Sequence, residues 1–412
     1  MKRALIISYN FPPKSGVSSR RWVKLTKGLT LAGVECYVIT RNGGKEKGVN
    51  WSKDLEHIDN SKIFEIKNYY PRFFEIQSPT LIHRIIKFLG IKLLKRTFFK
   101  IDSAQHFYKK LIPKARQILK LGVENIIVSG PPHSLIYHAA LLKIENPELN
   151  LIIDYRDSWN DEDSYRYKTA LKSYSIKFNS IAMERISLEV SDKVLFVTND
   201  MLQRTSKVFS HLKKKFFALH NFYDIDDYLD NPSEKQLMNT VVYFGTLGAQ
   251  RRKALELIAE AICELKKEGQ NFSTKFHFYT NEKPVLFRNS LNYNEIKNHF
   301  IFHPIVPVDQ IGREISKYQI CLSINAPNYP HAFGSKIFDY MAMNKNIFHI
   351  SDEGELYYLL KKSKNLVSRY DPNEIKKSLI LIDNNKLNNI KKNYFKDYDL
   401  RIKTLDLIKL LK

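Results

Sequence analysis

The sequence predicts an α/β protein made of two Rossmann-like domains facing each other across a cleft, and three observations carry that expectation. Short apolar runs of strand length alternate with stretches of helical pattern, which is the signature of a parallel sheet wound with helices. The alternation stops at a polar segment rich in Asp, Asn, Pro and Ser, residues 222–240, and then begins again. At 412 residues the chain also exceeds the size at which one core keeps growing, so two domains of roughly 200 residues each are expected.

Residues 4–8 read as a first strand that stops at Tyr9-Asn10-Phe11-Pro12-Pro13, with a helical pattern starting after Gly16. A second strand, 36–40, follows Gly33, and further buried strands are expected at 125–129, 151–154 and 193–198, each separated by a helical stretch. Together they make a first domain over 1–221, followed by a linker over 222–240. The second domain, 241–387, repeats the plan: strand 240–244, loop 245–252, helix 254–267, then strands at 275–279, 300–302, 319–324 and 346–349. The last stretch, 388–412, reads as helical. No short-period repeat is present.

A hydrophobic fraction of 43% is enough for two cores. No segment reaches about 18 uninterrupted apolar residues. The start, Met-Lys-Arg leading straight into a strand, lacks the apolar core of a signal peptide, so a cytoplasmic location is expected. Cys36, Cys263 and Cys321 lie far apart in apolar runs and read as reduced packing residues.

The net charge is +23. Between residues 82 and 120, Arg84, Lys87, Lys92, Lys95, Arg96, Lys100, Lys109, Lys110, Lys114, Arg116 and Lys120 are opposed only by Asp102. Ile85, Ile86, Phe88, Leu89, Ile91, Leu93, Leu94, Phe98 and Phe99 interleave with these cations. Such a cationic amphipathic segment suits an anionic lipid surface, the plainer reading being a solvated helix face. Nucleic acid is not expected as a partner, since no zinc finger, RNP-type aromatic motif or basic zipper is recognisable.

The stretch from His331 to Ala342 holds the most telling pattern. A Phe-Gly turn, Phe333-Gly334, opens a helix beginning Ser335-Lys336, and backbone N–H groups and the helix dipole at such a place favour an anion. Asp339, one turn further in, can accept hydrogen bonds from sugar hydroxyls, and the combination suits a nucleotide diphosphate carrying a sugar. The plainer reading makes Phe333, Ile337, Phe338 and Met341 core positions, which leaves Gly334, Ser335, Lys336 and Asp339 for ligand.

Other loops add to this. Gly16, at the entrance of the first helix, lets a bare amide approach a phosphate, but no Gly-x-Gly-x-x-Gly spacing accompanies it, which excludes a dehydrogenase-type dinucleotide site. Gly245-Thr246 leads into Arg251-Arg252-Lys253, three cations that can neutralise a diphosphate leaving group, or else a solvated helix start. Ser129-Gly130-Pro131-Pro132-His133-Ser134 and Asp154-Tyr155-Arg156-Asp157-Ser158-Trp159 each follow a strand, where ligands of such sheets bind. Arg156 and Asp157 could instead form a mutual ion pair, and His133 could be a helix-cap neighbour without chemistry. Asp224-Ile225-Asp226 has the spacing of a metal-binding carboxylate pair but sits in the polar linker, and no metal is expected.

These motifs resemble those of family 4 glycosyltransferases. Phe333 and Gly334 match the donor-site signature, Asp339 stands at its second acid, and His331 stands where the family has its first. The loop 129–134 followed by 154–159 is similar to the pair found in the branch that builds bacterial surface polysaccharides. The resemblance implies the GT-B fold, with 388–412 crossing back onto the first domain. It implies that Asp339 holds the donor ribose and that position 331 meets the transferred sugar. It places Gly16 beside the donor phosphate and Ser129, Arg156 and Asp157 on the acceptor side. Thr246 occupies the place of the family's first phosphate-binding cation and Arg252 matches the second, with Arg251 or Lys253 able to compensate. The catalytic candidates are Arg251, Arg252, His133 and His331; the donor-binding candidates are Gly16, Gly245, Thr246, Lys253, Phe333, Gly334, Ser335, Lys336 and Asp339.

The implied reaction is transfer, with retention of configuration, from a UDP- or GDP-type sugar donor to a lipid-linked glycan. The implied place is the inner face of the cell membrane, reached through residues 82–120. No cofactor is expected. A nucleotide-sugar 2-epimerase shares the fold and is the alternative enzyme, and His331 with Thr246 would also fit a degenerate, non-catalytic scaffold.

Overall fold

A computed structural model describes residues 1–13, 17–43, 51–70, 85, 88–90, 101–160, 174–228, 236–281, 296–327, 329–387 and 394–412. The chain divides into two compact units, Met1–His220 with Thr404–Lys412, and Asn221–Lys403.

The first unit holds β1 (Arg3–Ser8), α1 (Val17–Leu31), β2 (Glu35–Arg41), β3 (Ile63–Ile66), α2 (Tyr108–Leu119), β4 (Asn125–Gly130), α3 (Ser134–Glu145), β5 (Asn150–Tyr155), α4 (Tyr174–Val190), β6 (Lys193–Phe196), α5 (Asn199–Val208) and β7 (Phe216–Ala218). Its seven strands form one sheet in the order β3-β2-β1-β4-β5-β6-β7. Every pairing is parallel, β1 lying between Glu35–Ile39 on one side and Asn125–Ser129 on the other. Helices cover both faces of such a sheet, which is why Ala4, Leu5, Ile6 and Ile7 are all buried and read as one unbroken apolar run.

The second unit holds β8 (Leu237–Phe244), α6 (Gly248–Lys267), β9 (Lys275–Tyr279), β10 (Phe300–His303), α7 (Val308–Ser316), β11 (Tyr318–Ile324), α8 (Ser335–Ala342), β12 (Asn346–Ile350), α9 (Glu355–Lys362), β13 (Leu366–Ser368) and α10 (Pro372–Asp383). Its six strands run β10-β9-β8-β11-β12-β13, again all parallel. Strand order therefore reverses beside β1 in one unit and beside β8 in the other, and those reversals open the crevices in which α/β sheets bind ligands. A last helix, α11 (Leu400–Ile408), closes the chain. Thr404–Lys412 is fastened within the first unit: Lys2 Nζ donates to Leu411 O at 2.7 Å and Asn150 Nδ2 to Leu410 O at 3.0 Å. A Cβ on Gly28 would lie 2.2 Å from Thr404 Oγ1, so only glycine fits that contact.

Several boundaries differ from the sequence expectation for visible reasons. The strand expected over 193–198 ends at Phe196 because Thr198 caps α5, its hydroxyl accepting from Met201 N at 3.1 Å. The helix expected from 254 begins at Gly248, so Arg251, Arg252 and Lys253 lie on a helix and not in a loop. Strands β3, β7 and β13 lie outside the sequence expectation; each is an edge strand of three or four residues, too short to show a period.

The basic segment also divides. Leu111, Ala115 and Ile118 of α2 are buried in the core of the first unit, Arg116 pairs with Glu145 at 2.8 Å, and Asp102 is spent on α3, accepting from Ser134 N at 2.9 Å. The opposite face of α2 keeps Lys109 and Lys110 exposed, and in the earlier part the described residues Ile85, Phe88 and Leu89 are exposed. Most of 82–100 lies outside the described residues. Among those described, no helix is long and apolar enough to cross a membrane. All three cysteines are buried, and burial pushes the Cys36 and Cys321 thiols up to about 12.

Candidate functional site

In the second unit the crevice beside β8 is built by three pieces of chain. Strand β8 is followed by Gly245, whose φ of +139° is closed to side-chain-bearing residues, and whose N–H donates to Tyr279 O at 3.1 Å. Tyr243 reaches over the turn, its hydroxyl donating to Thr246 O at 3.0 Å. Arg251, on the first turn of α6, spans the strand reversal: Nε donates to Ile324 O at the end of β11 (3.1 Å) and Nη1 to Thr246 O (3.2 Å). It is half-buried, whereas Arg252 and Lys253 are exposed. Of the three cations, Arg251 is the one held at the carboxyl ends of the strands.

The residue after β11, Asn325, carries the site onward, donating from Nδ2 to Ala332 O at 2.8 Å. Its own carbonyl accepts from the Tyr370 hydroxyl. Burial raises that hydroxyl's pKa well above the usual phenol range, as does Asp352, with Arg251 opposing. Gly354 backs the same loop, since a Cβ there would meet Pro330 O at 2.5 Å. Gly334 then opens α8, exposed and without a side-chain cap among the described residues. Ser335 and Lys336 follow half-buried, and the His331 ring lies 5.5 Å from that of Tyr329. Phe333 stacks on Phe338 at 6.1 Å, the core position that the helical pattern suggested. Asp339 is only 2% exposed; Oδ1 accepts from the Tyr228 hydroxyl at 2.5 Å and Oδ2 pairs with Lys336 Nζ at 3.2 Å.

In the first unit the two expected loops converge, but most of their side chains hold the framework. Asp154 is fully buried and accepts from Arg21 Nη2 (2.8 Å), Trp22 Nε1 (2.7 Å) and Ser129 Oγ (2.9 Å). Arg21 also donates to Leu219 O (2.8 Å) and His220 O (3.1 Å). Arg156 does not pair with Asp157; it donates to Ser18 O at 2.9 Å and Pro131 O at 2.5 Å, tying its loop to the first turn of α1 and to the loop after β4. His133 is buried, stacked on Trp159 at 5.3 Å, with Nε2 donating to Asp157 O at 3.0 Å. A ring so enclosed braces the loop; Asp157 beside it is exposed as a residue, while burial of its carboxyl raises its pKa above the usual carboxylate range and Arg156 opposes this. Gly16 lies outside the described residues. Asp224 turns back on Asp226 N at 3.2 Å and Asp226 pairs with Arg401 at 2.9 Å, so that spacing makes a turn.

Sequence reasoning missed Arg21, Trp22, Tyr228, Asn325 and Tyr370. Arg21-Trp22 carried a usable signal, a large cation beside Trp on the first helix; the others sit in loops with no pattern.

No protein-family model matches the chain, and no curated protein matches it in sequence. Solved structures do resemble it. A glycosyltransferase from Rickettsia africae superposes with a TM-score of 0.61 at 13% identity, covering 99% of this chain and 97% of that one. Sucrose-phosphate synthase from Thermosynechococcus elongatus gives 0.59 at 14% identity, covering 100% and 98%. UDP-GlcNAc 2-epimerase from Neisseria meningitidis, bound to UDP-GlcNAc, gives 0.52 at 10% identity, covering 100% and 99%. At such identities the likeness speaks for the fold, and the fold is the pair of Rossmann-like domains that GT-B glycosyltransferases and these epimerases have in common.

Proposed function

We propose that the chain is a glycosyltransferase of the family 4 type, moving a sugar from a UDP- or GDP-linked donor to a lipid-linked glycan in bacterial surface polysaccharide synthesis. The products in view are capsule, O-antigen or exopolysaccharide. The observation that carries this reading is Arg251, held across the strand reversal of the second unit by Ile324 O and Thr246 O. Asn325 links that point to the loop that opens α8. A guanidinium there can meet the diphosphate as its charge grows in the transition state, and Arg252, Lys253 and the helix-end amides add to it. The N. meningitidis epimerase, solved with UDP-GlcNAc, supports a nucleotide sugar as the ligand of such a fold.

In this reading the second unit binds the donor. Asp339 takes the ribose hydroxyls, His331 faces the sugar, and Gly245, Thr246, Gly334, Ser335 and Lys336 surround the phosphates. The first unit binds the acceptor through Asp157, with His133, Ser129 and Arg156 positioning its loops. Attack from the face the diphosphate leaves retains configuration, and the departing phosphate oxygen takes the acceptor proton, so no protein base is needed. Exposed Ile85, Phe88 and Leu89, spaced to share one helix face, support attachment to an anionic membrane surface.

Thermal stabilisation across a panel of nucleotides and nucleotide sugars tests the assignment, with Asp339→Ala as control. A shift with one diphosphate that disappears in the variant is expected, together with slow donor hydrolysis in the absence of acceptor. Release of a 2-epimerised sugar nucleotide would replace the transferase by the epimerase. No shift with any ligand would leave a non-catalytic scaffold.

A further inference from the structure

Asp339 is closed in this structure, and the group that closes it resembles the ligand. Its Oδ1 accepts a phenol O–H from Tyr228 at 2.5 Å, while Lys336 holds Oδ2 at 3.2 Å. Tyr228 comes from a different piece of chain, separated from Asp339 by 111 residues in sequence. The turn that presents it, Ile225–Asp227, is well fastened: Tyr223 N donates to Tyr398 O at 2.9 Å, Leu400 N to Tyr223 O at 2.8 Å, and Asp224 caps Asp226 N. Tyr228 itself is half-buried at the end of that turn and packs against the cluster containing Ile337, Phe338 and Met341.

A buried carboxylate is costly without donors, and the Tyr228 hydroxyl supplies one to Oδ1. We propose that Tyr228 occupies the ribose position on Asp339 and sets nucleotide affinity by exchanging with the ribose hydroxyl. This inference rests on the reading of Asp339 as the ribose acceptor. The exchange keeps the carboxylate dry and hydrogen-bonded in both states; the phenol must turn away before a ribose can bind, and the apparent affinity falls by the fraction of molecules in which it has done so.

The test is calorimetric titration of UDP and GDP, and of their 2′,3′-dideoxy counterparts, into the full chain, Tyr228→Phe and Asp339→Asn. The phenylalanine keeps the ring and its packing. If Tyr228 holds Asp339 in about nine molecules of ten, Tyr228→Phe tightens the ribonucleotide about tenfold. The dideoxy ligand, having no hydroxyl to exchange, stays unchanged. Tyr228→Leu, with the hydroxyl also gone, moves the ratio the same way and covers a folding defect peculiar to the first variant. A ratio of ribo to dideoxy affinity that is unaltered or lower in both variants overturns the proposal and makes Tyr228 a brace for the carboxylate. If Asp339→Asn leaves the wild-type ratio intact, or if no diphosphate binds to wild type or variants, the donor-site reading falls and takes this inference with it. A ratio lost in Asp339→Asn but not raised by the Tyr228 variants removes this inference alone.

Discussion

Asp154→Ala tests the framework beneath the proposed acceptor loops. The carboxylate is fully buried and the Arg21 side chain is 4% exposed, so removing one leaves the other as a desolvated cation. Two carbonyls, Leu219 O and His220 O, would remain for the guanidinium, while Trp22 Nε1 and Ser129 Oγ lose their acceptor. Breaking a buried pair from one side costs about 3–5 kcal/mol. The lost neutral bonds would each add about 1 kcal/mol if they were independent. They share one carboxylate and are not independent, so about 4 kcal/mol is expected in total. Urea unfolding followed by tryptophan fluorescence suits the measurement, because the chain's three tryptophans, Trp22, Trp51 and Trp159, all lie in the first unit. Arg21→Met combined with Asp154→Leu should recover most of the loss, giving a coupling above about 2 kcal/mol. A cost below about 1 kcal/mol for Asp154→Ala, or single effects that simply add, would refute the claim that this ion pair is one closed unit.

Arg251→Ala is expected to slow donor turnover about 100-fold, and the exposed Arg252→Ala less than about threefold. Equal losses, measured as released nucleotide diphosphate, would place the working cation elsewhere. Gly354→Ala puts a Cβ 2.5 Å from Pro330 O, so the loop before Gly334 must move. Overpacking of this kind costs about 1–3 kcal/mol, and a displacement of about 1 Å can cost 100-fold in rate; a wild-type melting curve and rate would show the contact to be slack. Burial pulls His349 down to about 3 and His138 to about 4 from 6.5. Below pH 6.5 the unfolded chain takes protons that the folded one refuses, so stability should be flat above about pH 7 and fall as pH drops toward 4. Each histidine should cost about 2–3 kcal/mol by pH 4.5. Urea midpoints of His138→Asn and His349→Asn, compared with wild type, should show a shallower acid slope.

The sequence by itself determined the two α/β halves and the places where most of their strands end. Those features are periodic and local: buried parallel strands are apolar runs, and glycines and prolines mark where they stop. It also marked the Phe-Gly helix, because the turn and the helix it opens are neighbours in sequence. Only the tertiary structure decided what each polar side chain meets. It turned Arg251 toward Ile324 and left Arg252 exposed once α6 began at Gly248. It showed Arg156 bracing carbonyls and not Asp157, and it placed Asp154 under Arg21 from 133 residues away and Tyr228 on Asp339 from 111. Hydrogen-bond partners so distant in the chain leave no local period, and a loop tyrosine or a helix arginine gains its role only when packing has brought the other half of the bond to it.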